Sequence, residues 1–182
     1  AYLQVDTGGP WEQEARAHLD SDRQKVERHD RAAAAPLLSP AQFASGNYDD
    51  ARIEDYLQTA ATVWLPAAFP VAGPPDATAR RALGVLATAL AGRHHDVWLQ
   101  RLLARAPARP SAGFAAAVAG LAAAIRLNQA GQSDAALASA TRASAGFAAL
   151  GDAAGQERAA YEQVYVLHLA ERGSQCLDLL QK

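Results

Sequence analysis

A few places in this chain bring together side chains able to do chemistry. The sharpest is His94–His95, followed at once by Asp96. Adjacent residues on a helix point about 100° apart, so two neighbouring imidazoles do not face one metal ion unaided. A zinc site needs further ligands, and no second His or Cys pair stands at ligand spacing. The residues fit a turn in which Asp96 caps the helix that follows. Cys176 and His168 invite a nucleophile–base reading, since eight residues across a turn can bring them close. Nothing nearby supplies an oxyanion hole or an orienting third group, and a cysteine there reads as a small apolar side chain. No catalytic residue, metal ligand or cofactor site is expected.

Glu162 is different. Over 154–172, Glu157, Arg158, His168, Glu171 and Arg172 share one arc of a helix, which is its expected wet face. Glu162 and Gln163 lie outside that arc, among Val166, Leu167 and Leu169. A carboxylate placed there must be paired or hydrogen-bonded. One reading makes it a tie to a neighbouring helix through Arg126 or Arg142; the other makes it a polar group lining a peptide-binding groove. Asn128 continues a stripe of bulky residues on its own helix, where it caps a neighbour or faces a ligand. Glu162, Gln163, Asn128 and Arg126 are therefore the groove candidates.

These residues need elements to hold them, and composition says which. Apolar residues make up 50% of the 182 positions, charged residues 20%, and the net charge is −2. Such a chain is globular rather than disordered, and it has no basic cluster to draw nucleic acid. Alanine is strongly over-represented and β-branched residues are scarce, which favours helix. No apolar run reaches the roughly 20 residues that cross a bilayer, and no signal-peptide pattern opens the chain. With Cys176 as the only cysteine, a disulfide framework is impossible and a cytoplasmic setting is expected. The sequence starts "AYLQVD" and stops at "LDLLQK", so it reads as a piece of a longer protein.

Proline and glycine punctuate the chain at "DTGGP", "PLLSP", "PAAFPVAGPPD" (66–76) and "APARPS" (106–111), where loop breaks are expected. Pro10 opens one expected helix, Asp76 caps another over "ATARRALGVLATALAG", and Ser111 caps a third over 112–130. No segment alternates as a half-buried strand does, so the chain is all-α. The stretch from Pro10 to Arg31 carries 11 charged residues and reads as a helix standing in water, laced with pairs such as Glu27–Arg31. Its other possible use is as a contact surface for a neighbouring domain. Trp11, Trp64 and Trp98 fall near helix boundaries as expected anchors between hairpins rather than a stacking platform.

Four glycines have similar followers: Gly46 in "GNYDDA", Gly92 in "GRHHDV", Gly131 in "GQSDAA" and Gly173 in "GSQCLD". Their spacings of 46, 39 and 42 residues imply helical hairpins repeated along the chain. Each glycine is expected to end one helix in a left-handed conformation, with another helix starting within about three residues. Asp49, Asp96 and Asp134 are expected at the starts of the following helices. Over 112–130, Phe114, Val118, Leu121 and Ile125 form a bulky stripe, with Ala116, Ala119, Gly120 and Ala123 opposite. In the next helix Ala136, Ala140 and Ala143 form a small face, with Leu137 and Phe147 as anchors. The small residues set helix-to-helix distance.

"GNYDDA" and "GQSDAALASATRA" resemble the tetratricopeptide-repeat pattern through Gly46, Tyr48 and Ala51, and through Gly131, Ala136 and Ala143. Ser133 stands where that pattern has an aromatic, and 66–110 departs from the rhythm. The phrase "ALGDAAGQERAAYEQVYVLHLAERGSQCLDLL" is similar to the repeat region ahead of a CHAT domain, a bacterial caspase-like peptidase module. "GPWEQEARAHL" is also in keeping with that company. The resemblance implies a single domain over 1–182: a right-handed, partly irregular α-solenoid of TPR-like hairpins. It also implies a non-catalytic scaffold or sensor that binds a polypeptide or the protein's own effector domain, with catalytic residues outside this chain. The alternative is a peptide- or effector-sensing repeat domain of a transcriptional or signalling regulator.

Overall fold

A computed structural model describes residues 10–34, 36–107 and 110–180. All regular structure among them is helical, with no strand. The chain divides into two compact units, 1–37 and 38–182. The first contributes one helix, α1 (Pro10–Ala34), which starts at the expected proline. Arg16 pairs with Glu12 one turn back at 2.5 Å, and His18 lies 3.9 Å from Glu14. The expected Glu27–Arg31 pair lies outside the described side chains. Trp11 is 68% exposed on α1, so the anchoring role expected of it is not observed.

The second unit begins with α2 (Pro40–Ala44), closed at its start by a Ser39–Gln42 capping box. A single 3₁₀ turn, Asp50–Arg52, leads into α3 (Asp55–Thr59). A π segment (Ala60–Trp64) then runs without interruption into α4 (Leu65–Ala68). The expected break at 66–76 therefore starts later, after Ala68, and the helix passes through Pro66. Proline has no N–H to give the carbonyl four residues back, which is Thr62. Arg126 Nη1 donates to that carbonyl instead, at 2.9 Å. Phe43, Tyr48, Tyr56 and Trp64 pack their rings together here, with Phe43 and Trp64 buried.

The remaining helices are α5 (Ala77–Arg93), α6 (Trp98–Arg105), α7 (Ala112–Gln129), α8 (Ser133–Ala149), α9 (Ala153–Leu169) and α10 (Gly173–Leu180). Asp76 accepts from the Thr78 and Ala79 N–H groups, and Ser111 from Phe114 N–H, as the sequence predicts. Helices pack in pairs: α5 on α2, α4 and α6, α7 on α8, α8 on α9, and α9 on α10. α6 also packs on α9, and α7 on the π segment and α4.

The hairpin turns differ from expectation in their glycines. Gly46 and Gly131 are left-handed, with φ of 84° and 71°. After Gly46, however, the next α-helix starts only at Asp55, beyond the 3₁₀ turn. Gly92 lies inside α5 and Gly173 opens α10, so neither ends a helix. The left-handed positions there are His95 (φ 55°) and Glu171 (φ 56°), with Gly151 (φ 67°) between α8 and α9. Gly131, Gly151 and Glu171 close α7, α8 and α9 in the same way. Each donates its N–H three residues back while the next residue donates five back: Gly131 to Asn128, Gln132 to Leu127, Gly151 to Ala148, Asp152 to Phe147, Glu171 to His168, Arg172 to Leu167. The true interval is thus one helix and its turn, 20 residues, repeated at 131, 151 and 171.

Small side chains do set helix spacing, through other residues than expected on α7. Ala116 is exposed and Ala119, Gly120 and Ala123 are half-buried, while Ala115, Ala117, Ala122 and Ala124 are buried beside the bulky stripe. A Cβ on Gly120 would sit 3.4 Å from that of Ala143, and one on Gly146 would sit 3.1 Å from that of Ala117. Ser139 Oγ donates to the Gly120 carbonyl at 3.1 Å. On α8, Ala136, Ala140, Ala143 and Phe147 are buried as expected, and Leu137 is half-buried. Phe69, Phe114 and Phe147 form an edge-to-face ladder at 5.1 and 6.0 Å, linking the loop after α4 to α7 and α8. No described helix is long and apolar enough to cross a membrane.

Candidate functional site

Of the groups singled out for chemistry, His94 and Asp96 are engaged in local contacts. His94 Nδ1 meets Glu54 Oε1 at 2.9 Å, beside an Arg93–Asp50 ion pair of 2.5 Å. Both contacts fasten the end of α5 to the region around the 3₁₀ turn. Asp96 Oδ1 accepts from Trp98 N–H at 3.3 Å, but the cap position of α6 falls to Val97, which has no side-chain acceptor, so Asp96 stands one residue ahead of the expected cap. Asp49 accepts from Ala51 N–H as the cap of the 3₁₀ turn. Asp134 does not cap. It sits in the first turn of α8 and binds Arg172 Nη1 at 2.7 Å, joining the start of α8 to the turn after α9. The cap on α9 is Asp152, which accepts from Gly155 N–H. Cys176 is half-buried and His168 exposed. Among the described residues, no three His, Cys, Asp or Glu side chains are grouped to hold a metal ion.

Glu162 and Gln163 are buried in α9, as their places outside the wet arc require. The partner of Glu162 is neither Arg126 nor Arg142. It is Arg158, one turn earlier on the same helix, whose Nη2 lies 2.5 Å from Glu162 Oε1. The sequence places Arg158 on the wet face, but only a fifth of its side chain is exposed. Packing on α6 explains the difference. The Arg158 guanidinium lies over the Trp98 ring at 5.4 Å and over the Tyr161 ring at 4.9 Å. Burial pushes the Glu162 carboxyl above the usual carboxylate range, outweighing the opposing pull of Arg158. Arg126 is engaged at Thr62, and Asn128 is half-buried near the end of α7, its carbonyl accepting from Gly131 N–H.

Around this buried pair the structure builds an exposed aromatic surface. Tyr161 and Tyr165 stack with nearly parallel rings 6.1 Å apart and are 55% and 42% exposed. Beside Tyr161 a recess of about 450 Å³ is lined by Leu57, Asp96, Trp98, Glu157 and Arg158. Tyr161 and Tyr165 stand four residues apart and Arg158 three before Tyr161, so one face of α9 is legible locally. Trp98 is not, because α6 reaches α9 across 60 residues of sequence. A larger hollow of about 770 Å³ between α2 and α5 combines small residues such as Gly84 and Ala89 with Tyr48, Arg81, Thr88 and Arg93, of which Arg93 is already paired with Asp50. No family model, curated protein or solved structure matches the chain.

Proposed function

We propose that the helical unit from residue 38 onward holds an extended polypeptide against the α6–α9 surface. It would serve as a non-catalytic scaffold or sensor segment. The observation that carries this is the exposed Tyr161–Tyr165 stack beside the Trp98 recess, fixed from beneath by the buried Arg158–Glu162 pair. Aromatic side chains offer large contact area at low entropic cost, and a rigid helix face presents them without reorganisation. The 20-residue recurrence of like turns supports a TPR-like stack of hairpins, whose surfaces characteristically take up peptides. The finer assignment, to the repeat region ahead of a CHAT peptidase module, is supported by the resemblance of 149–180. It predicts a His/Cys peptidase module encoded further along the same reading frame, where a DNA-binding module would favour a regulator.

The test is selection from a random-peptide phage library on the purified chain, with Tyr161→Ala/Tyr165→Ala as the control surface. Both tyrosines are exposed, so the variant should keep the parent melting temperature. Peptides that bind the parent chain and lose at least tenfold in affinity on the variant are expected. Peptides that bind both equally would refute the placement of the site.

A further inference from the structure

The recess beside Tyr161 carries more than an aromatic wall. Asp96 and Glu157 both line it, and its one cation, Arg158, is already bonded to Glu162. Asp96 spends one carboxylate oxygen on Trp98 N–H, leaving the other for a donor. Glu157 is exposed on the wet arc of α9. Glu157 also lines a neighbouring hollow of about 290 Å³ together with Arg101 and Arg105, and Arg105 is held at 2.8 Å by the Gly151 carbonyl. The local balance at the recess is therefore negative, against walls of Trp98, Tyr161 and Leu57. A donor-rich cation with an apolar stem matches both features: the stem covers the rings while the head reaches the carboxylates. Arg158 itself demonstrates the mode, since its guanidinium already lies over both rings.

We propose that this recess receives an arginine or lysine side chain of the bound polypeptide, with Asp96 and Glu157 as its carboxylate partners. The proposal rests on the polypeptide-binding reading and specifies its partner as basic. Arginine is the better fit, because its planar fork bonds to carboxylates while stacking on aromatic faces.

The experiment takes the phage-selected peptides and measures their affinity by fluorescence anisotropy at low and physiological salt. The proteins compared are the parent chain, Asp96→Asn/Glu157→Gln and Tyr161→Ala/Tyr165→Ala. Asparagine keeps an acceptor for Trp98 N–H, and glutamine keeps the size of Glu157, so the neutral variant retains the fold, as checked by its thermal melt. Selected peptides should be rich in Arg or Lys next to apolar residues. Their binding should fall about tenfold on the neutral variant, as expected for the loss of two partly exposed charge contacts. It should also weaken with salt on the parent chain alone. Neutral or acidic peptides that still need the tyrosines would overturn the basic partner and leave the polypeptide reading standing. So would basic peptides that bind the neutral variant as tightly as the parent. A library that yields no tyrosine-dependent peptide would overturn both.

Discussion

A buried carboxylate keeps its charge only where something replaces the water it has lost. For Glu162 that replacement is the Arg158 guanidinium, and burial still raises the carboxyl above its usual range. In the unfolded chain the same carboxyl titrates at the ordinary, lower value. Between the two values the folded state holds more protons, so this group's contribution to stability falls as pH rises through that window. Glu162→Gln keeps an acceptor for Arg158 and removes the titration. Its stability, followed by urea unfolding at several pH values, should fall less than the parent's over the same window. Glu162→Ala leaves the largely buried Arg158 without its acid and should cost about 2–4 kcal/mol. Glu171 makes the opposite prediction. It occupies a left-handed position that costs an ordinary residue about 1 kcal/mol, so Glu171→Gly should raise the thermal midpoint by a few degrees. The Ser111 and Asp76 caps were legible because a cap bonds two or three residues along the chain. The left-handed His95 and Glu171 were not, since neither is the glycine that signals such a turn.

Between elements, distance is set by what is missing from side chains. Gly155, in the first turn of α9, faces Phe147 of α8 so closely that a Cβ there would lie 2.4 Å from the ring. Phe147 is fully buried at the end of the phenylalanine ladder and has no room to withdraw. Gly155→Ala, usually favourable in a helix, should here destabilise by about 1–3 kcal/mol, measured by denaturant unfolding. Gly84→Ala on α5, where a Cβ meets nothing within 4 Å, is the matched control and should be neutral or stabilising. The all-α class and the tight α7–α8 contact were legible from alanine-rich periodicity. The face of α7 that meets its neighbours was not. Alanines all round a helix look alike in sequence, and it is the neighbours, such as Gly146 and Ala143 on α8 and the π segment and α4, that decide which of them are covered.

Across the second unit, the departures from a simple repeat are what bring the site together. α6 folds back onto α9, which puts Trp98 over Arg158 and opens the recess between them. Glu162 and Gln163 were rightly read as buried, yet the exposed Tyr161 and Tyr165 above them carry the candidate contact surface. Single-sequence periodicity reports burial along one helix; it holds no information on which distant helix arrives to complete a site. Arg126, read as a groove residue, is occupied at the π segment because Pro66 leaves a carbonyl to be met. The most direct test of the α6–α9 surface is a crystal structure of the chain with its tightest phage-selected peptide. Peptide density is expected across Trp98, Tyr161 and Tyr165, with a basic side chain between Asp96 and Glu157. Density seated elsewhere, as in the hollow between α2 and α5, with this surface bare, would rule the α6–α9 site out.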